Sequence, residues 1–287
     1  MTCHKAWPLA LAAWFSILLP ACGPAPEQTR APGAGASLFA NAPSVQWRLP
    51  DRLREISGLA FTSDGRLFAH DDERAVLYQM DVVRGEILGF FEVGHPVERG
   101  DFEDLAITPE GEFWLMTSQG KLLRFREGEN GQHVAAERFD TGLSHICELE
   151  GLAYLASAHS LILACKDHQA RDMRHTIALY IWPVTGESPA TLWRSFPEAA
   201  VATAAGVREF HPSAIKIDNA SGRLLLLSSR DAAFAELSAE GQLIAARRFG
   251  SEHPQAEGLE VAPDGSLIIS DESNGGPARI AVYGRLQ

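Results

Sequence analysis

The chain has 287 residues, with 25 Lys and Arg against 37 Asp and Glu and a formal net charge of -12. That acidic balance speaks against general nucleic-acid binding, which needs a concentrated basic surface. Beyond the N-terminal segments, residues 44–287 are long enough to bury one large core.

His4 and Lys5 make a weakly basic start, an apolar run follows from Ala6 to Leu19, and "LPAC" ends on Cys22. These features make residues 1–21 a secretory signal. The apolar run is short for a membrane-spanning helix, which needs about 20 residues. The cleavage site resembles the bacterial lipobox, whose cysteine is lipidated and becomes the mature N-terminus, with Pro20 as a departure from the usual pattern. That resemblance implies lipidation at Cys22. The plain alternative is a soluble periplasmic protein. Gly23, rather than Asp, follows the cysteine, which in Gram-negative lipoproteins points to the periplasmic side of the outer membrane. Residues 22–43 are rich in Pro, Gly and Ala. With so little apolar content they read as a flexible tether, spanning about 25 Å.

From residue 56 onward one phrase recurs: "ISGLAF" (56–61), "FEDLAI" (102–107), "LEGLAY" (149–154), "PSAIKI" (212–217) and "AEGLEV" (256–261). Its second residue is in turn Ser57, Glu103, Glu150, Ser213 and Glu257, at intervals of 46, 47, 63 and 44 residues. A period in the forties is a propeller signal. Within the first repeat, "SGLAFT", "RLFAH", "AVLYQMD" and "EILGFFEVG" are four short strands separated by turn residues. The turns "TPEG" and "EGENG" in the second copy, "NASG" and "SAEG" in the fourth and "APDG" in the fifth repeat that grammar. The expected fold is all-β, a five-bladed propeller. The long interval is read as insertions in blade three, at 166–176 and 197–211, with a short helical piece near Glu198 to Ala205; six blades is the alternative. The last repeat has only three strands. "SVQWRL" (44–49), unpartnered before the first repeat, supplies its outer strand and closes the ring.

The first strand of each propeller blade lines the central channel, so the five markers converge at one mouth. Three carboxylates meeting there repel one another and are poorly solvated. A hard divalent cation compensates, and calcium accepts six to eight oxygens at about 2.3–2.6 Å. Ser57, Glu103, Glu150, Ser213 and Glu257 are therefore the expected calcium ligands. Magnesium's strict octahedron suits such a ring less well, and without a Cys/His cluster zinc is disfavoured. The bland alternative is a water-filled polar channel whose marker residues only hydrogen-bond the next blade.

"ISGLAF", "DFEDLA", "LEGLAY", "PSAI" and "AEGLEV…DGSLIISDESN" are similar to the SdiA-regulated family of bacterial envelope propellers over roughly residues 45–285. The order Ser, Glu, Glu, Ser, Glu also resembles the central calcium site of five-bladed calcium-dependent apyrases, as does "LFAHDDERAVLYQMD" their first blade. The remaining blades match those enzymes only at the marker phrases. The resemblance implies shared architecture and metal more than shared catalysis.

The loops between second and third strands, and those between blades, share the marker face. They carry Asp71, Asp72 and Asp271, which suit water or a second cation, and Arg99, Lys166, Arg208 and Arg230, which suit an anion such as phosphate. Six histidines fall in the same loops, among them His211 and His253, and no triad-like spacing selects one. Cys147 and Cys165 lie at one end of blade three, where a disulfide would add about 3 kcal/mol; a catalytic thiol is the lesser alternative.

Two functions compete. One is a lipid-anchored, monomeric envelope module that binds a small anionic ligand or an envelope protein. The other is a calcium-dependent phosphoester hydrolase of the nucleotidase or phytase kind. The markers lack the Asn that calcium-dependent lactonases place near their metal.

Overall fold

Glycines with positive φ at Gly65, Gly111, Gly222 and Gly265 close the turn between the first two strands in four of the blades. Only glycine adopts that conformation without cost. In blade three His159, with φ of 47°, takes the equivalent place. The resulting architecture, in a computed structural model that describes residues 36–286, is a five-bladed β-propeller.

β1 (Val45–Arg48) precedes the first blade. Blade one is β2 (Ile56–Phe61), β3 (Leu67–Asp71), β4 (Val76–Asp81) and β5 (Glu86–Val93). Blade two is β6 (Phe102–Ile107), β7 (Glu112–Thr117), β8 (Lys121–Arg126) and, after the short β9 (His133–Val134), β10 (Glu137–Asp140). Blade three is β11 (Cys147–Leu155), β12 (Ser160–His168), β13 (Thr176–Pro183) and β14 (Thr191–Pro197), followed by the helix α1 (Glu198–Ala205). Blade four is β15 (Ala214–Asp218), β16 (Arg223–Ser228), β17 (Ala233–Leu237) and β18 (Leu243–Arg248). Blade five is β19 (Ala256–Val261), β20 (Leu267–Asp271) and β21 (Arg279–Tyr283). β1 pairs antiparallel with β21, Trp47 opposite Ile280, so the ring closes with the two ends of the chain as expected. The long third interval is insertion, as read from the sequence: β11 and β12 run to nine residues each, and α1 buries Val201 and Ala202 in the seam between blades three and four.

Two features differ from the sequence reading. "EGENG" is not a tight hairpin. The chain there crosses to blade one, where β9 pairs parallel with β5, His133 opposite Glu92, before returning as β10. The excursion covers part of an outer edge that would otherwise offer unpaired backbone groups. The tether assigned to 22–43 also does not stay free to its end. Phe39 is fully buried against Phe234, with ring centroids 6.2 Å apart, and the Leu38 amide donates to Glu236 at 3.1 Å. One aromatic residue in a Pro/Gly/Ala segment is enough to dock it. The signal segment, Cys22 and residues 22–35 lie outside the described residues.

Alternating side chains of every strand face the two neighbouring blades. Leu59 packs with Ile268 in the seam to blade five, and Phe68 with Phe113 in the seam to blade two. Trp114 meets Trp182 edge-on at 5.5 Å between blades two and three. With both sheet faces used for packing, each inner strand turns an open backbone edge to the channel axis, and those amides and carbonyls need partners.

Lys216, on β15, provides them. It is 4% exposed, and its Nζ donates to Asp104 Oδ1 at 3.0 Å, to the Leu105 carbonyl at 2.9 Å and to the Leu152 carbonyl at 2.8 Å. Asp104, 1% exposed, accepts the Leu105 amide at 2.8 Å and the Leu152 amide of the next blade at 2.7 Å. His70 Nε2 accepts the Gly58 amide at 3.0 Å, while its Nδ1 lies 2.9 Å from the Asp71 carbonyl. Complete burial holds that imidazole down at about 4, so it is neutral, with the proton on Nδ1.

The glycine of the marker phrase serves the same convergence. A Cβ on Gly258 would lie 2.4 Å from the Ser57 carbonyl oxygen, and one on Gly151 would lie 2.7 Å from the Ile215 amide. In blade two this position is Asp104, whose carboxylate reaches the neighbouring backbone instead of colliding with it.

Replacing Lys216 by Met should therefore leave a buried, unpaired carboxylate and two orphaned carbonyls. The expected loss is about 3–5 kcal/mol, read from urea denaturation with an unchanged m-value. A loss below about 1 kcal/mol would show that Asp104 finds its partners without the ammonium.

A candidate site at the upper mouth of the channel

The inner strands start at what we call the upper face. In four blades the pairing of first and second strands slips by one residue at the marker, between Ile56 and Leu59, Phe102 and Asp104, Leu149 and Gly151, and Ala256 and Gly258. Such a bulge leaves one residue out of the ladder and re-aims its side chain. Of the markers, Glu150 and Glu257, so released, and Ser213, whose blade has no such slip, line a cavity of about 550 Å³ together with Lys166, His211 and Arg230; Ser57 and Glu103 stand outside its lining.

The two serines do what the bland reading expected. Ser57 Oγ donates to the Glu103 carbonyl of the next blade, and Ser213 Oγ donates to the Ala256 carbonyl at 3.4 Å while accepting the Ser229 amide at 3.0 Å. The glutamates do not follow them. Burial pushes Glu103 up to about 9, with Glu150, Asp101 and Glu257 adding to the shift. Burial and then Glu150 push Glu257 up to about 8, although Ser229 Oγ donates to it at 2.9 Å. Glu150 is held at about 7 by burial, offset by an ion pair with Lys166. Burial would lower the Lys166 ammonium; Glu150, Glu148 and Glu257 together more than reverse this. The compensation that the sequence assigned to a metal is thus partly supplied from within the chain.

The Cys147–Cys165 disulfide, with Cα atoms 5.7 Å apart, clamps β11 to β12 one residue before Lys166 and three before Glu150. It fixes the strand ends from which this ion pair is made. A second acidic group adjoins the mouth at the seam of blades five and one. Glu272 is raised to about 7 by burial and then by Glu55 and Asp72, and Asp72 to about 6 by burial and then by Glu55. Asp72 Oδ1 is buried and has no hydrogen-bond partner among the described residues.

Among the described residues no three His, Cys, Asp or Glu side chains form a closed metal cage. The chemistry of the donors nonetheless fits a hard cation: they are all oxygens, and a serine hydroxyl that donates outward keeps lone pairs for a ligand.

The other charged candidates divide. Arg230 reaches the cavity, 3.8 Å from Asp167. Arg99 is held in a backbone bridge to Arg74 and Arg208 is exposed before β15; neither lines this cavity. Asp71 caps its own turn, accepting the Arg74 amide at 2.9 Å. Asp271 is fully buried, with Oδ2 2.7 Å from His253 Nδ1 and Oδ1 accepting the Gln255 amide at 3.2 Å.

One arrangement had no sequence signal beyond loop membership. Asp231 Oδ2 accepts the His211 amide at 2.8 Å and Ser228 Oγ at 2.8 Å, and lies 3.0 Å from His211 Nδ1. With Nδ1–H donating to a carboxylate, Nε2 is left as the basic nitrogen. It points to the cavity side, 3.7 Å from Asp167. His253 and Asp271 repeat the motif in blade five, but there Tyr283 OH lies against Nε2 and the pair is sealed. The dyads staple an inter-blade loop to the turn after β16 in blade four and to the end of β20 in blade five; of the two, the one in blade four is open.

The raised carboxyls set a pH dependence. Below the ordinary glutamate value of 4.5 both folded and unfolded chains are protonated at these groups. As pH rises from there towards 9 the unfolded chain ionises first, so the folded state loses relative stability, and the loss levels off above the folded values. Glu103→Gln should flatten the upper part of that decline. In metal-free buffer near pH 9 its melting temperature should exceed wild type by about 2–4 °C or more. An identical melting profile from pH 5 to 9 would show that Glu103 is better solvated than its burial implies.

No curated protein matches the chain by sequence. By structure it is similar to the glutaminyl cyclase of Myxococcus xanthus, at 14% identity and a TM-score of 0.56, covering 85% of this chain and 97% of that one. It is also similar to the PQQ-bound aldose sugar dehydrogenase of Streptomyces coelicolor, at 14% identity and a TM-score of 0.51, covering 85% of this chain and all of that one. At such identity the likeness is one of fold. The family model described as SdiA-regulated matches residues 44–275, from the closing strand to the last turn of blade five, and this chain belongs to the SdiA-regulated family.

Proposed function

We propose that the protein is a ligand-binding propeller tethered to the cell envelope, whose upper mouth takes a calcium ion against Glu103, Glu150 and Glu257. One observation carries this reading: three mutually repelling, largely buried carboxyls share the mouth with a single ammonium, Lys166. Fully ionised, these groups, together with Glu148, Asp167 and Arg230 that line the cavity, keep a surplus of negative charge that a divalent cation would offset. Ser57 and Ser213 add hydroxyl oxygens. Arg230 and Lys166, beside the ion, would hold a small anionic ligand. The tether rests on the signal-like residues 1–21 and on lipidation at Cys22, and the periplasmic side of the outer membrane is the corresponding location.

A second reading is calcium-dependent phosphoester hydrolysis, favoured by the open His211–Asp231 dyad on the same cavity. Bound calcium would supply polarisation of the phosphoryl group. In this reading His211 Nε2 accepts the proton of the attacking water, Asp231 holds the ring, and Arg230 steadies the phosphoryl oxygens.

Calcium at a hundredfold excess over its dissociation constant should raise the melting temperature by about 5–10 °C, and Glu150→Ala should remove most of that rise. An equal rise in the variant, or no calcium heat in calorimetry of the wild type, refutes the site. A panel of nucleotides and phosphomonoesters, with calcium and with chelator, decides the second reading. Activity lowered about 10²–10⁴-fold in His211→Ala supports it, and inactivity on the whole panel leaves only binding. Intact mass of membrane-extracted protein checks the tether: wild type should carry acyl chains that Cys22→Ser lacks, and an unmodified wild-type mass contradicts it.

A further inference from the structure

The channel has a second mouth. Where the inner strands end, a cavity of about 380 Å³ opens on the face opposite the marker ring. Its walls are Phe61, Ile107, Tyr154, Ile217 and Val261, one from the end of each inner strand, and Thr62, Thr108 and Asn219 stand on its rim. One position earlier the five blades carry Ala60, Ala106, Ala153, Lys216 and Glu260. Three alanines leave the space; Lys216 and Glu260 make its floor. This volume lies within the range of small-molecule sites, about 300–1,000 Å³.

The floor is selective in what it offers. An ammonium has three donors, and those of Lys216 already go to Asp104 and the Leu105 and Leu152 carbonyls. No donor is left there for a ligand anion. Glu260 differs: one of its oxygens accepts the Val261 amide at 2.7 Å, and a carboxylate has acceptor capacity for several more hydrogen bonds. Burial, partly offset by Lys216, keeps its carboxyl up at about 7. Asp104 and Glu260 against Lys216 leave the floor one negative charge, and the nearest rim pair, Arg285 with Asp218 at 2.8 Å, is balanced.

We propose that this lower cavity is a second binding site, for a small amine with a compact apolar body, whose ammonium is received by Glu260 and whose body lies among Phe61, Ile107, Tyr154, Ile217 and Val261. It is separate from the calcium mouth, since Lys216 and Asp104 fill the channel between them. The amine donates to Glu260 and no covalent step is involved; the same body carrying a carboxylate would meet the Glu260 carboxylate and find no free donor on the floor, the remaining hydroxyl and amide donors standing on the rim.

The test is calorimetric titration of the purified full chain at mildly alkaline pH with 2-phenylethylamine, cyclohexylmethylamine, benzyl alcohol and phenylacetate. The amines should bind one per chain, and the alcohol and the carboxylate about ten- to hundredfold more weakly. Glu260→Gln keeps the shape of the floor and should weaken the amines by the same factor while leaving calcium binding at the upper mouth unchanged. Asn219→Lys, on an exposed turn at the rim, should also weaken the amines, by charge alone. Failure of both amines to bind at millimolar concentration overturns the proposal. So does amine binding that is equal in wild type and Glu260→Gln.

Discussion

The open inner edges of five sheets are the constraint on which the rest of this molecule depends. Radial packing consumes both faces of every blade, so each inner strand presents a backbone edge to the channel. A buried ammonium answers this with three donors aimed at two carbonyls and a carboxylate, and that carboxylate in turn takes an amide from each of two blades. Lys216 of blade four thereby ties blades two and three from across the axis. A buried ion pair seldom adds much net stability over an apolar replacement. Here an apolar replacement would have to leave edge carbonyls unpaired, which changes the comparison.

Because the middle of the channel is filled, its ends become separate environments. The upper mouth gathers negative charge on bulged residues. The lower mouth has a floor on which the Lys216 donors are all engaged and one carboxyl, Glu260, has acceptor capacity to spare. One polar plug thus lies between two cavities of different chemistry. The glutamates of both stand on strands, the placement that holds functional groups most accurately.

What could be read from the sequence follows from the range of each interaction. Turn glycines, strand alternation and the marker phrase are local, recur from blade to blade and so located the blades and the strand that closes them. Lys216 in "PSAIKI" and Asp104 in "FEDLAI" carry no local signal of their role. Their meaning lies in a contact across 112 residues, which no local pattern records. The His211–Asp231 dyad spans 20 residues between two polar loops, where such residues are common for bland reasons. Phe39 docks only because a seam between blades four and five accepts an aromatic ring. Asp271 shows the reverse case: a residue in a charged loop motif that the fold buries completely. Departures from a repeat were more informative than the repeat itself, but only once the partners were known.

The marker ring itself separates structure from chemistry. Ser57 and Ser213 occupy two of its five places and satisfy the next blade with a neutral hydroxyl. The position therefore asks for nothing larger or charged to hold the propeller together. At the other three places stand glutamates whose ionisation opposes folding across the neutral range, since their carboxyls are raised to about 9, 7 and 8. Lys166 offsets part of that cost and does so chiefly at Glu150. Residues that the fold does not require, and that weaken it when ionised, are best explained by something that binds them in the folded state and returns the stability they remove. The same reasoning singles out Glu260, which sits where three other blades are content with alanine. In both mouths the charge is surplus to the architecture, and in both it faces a cavity.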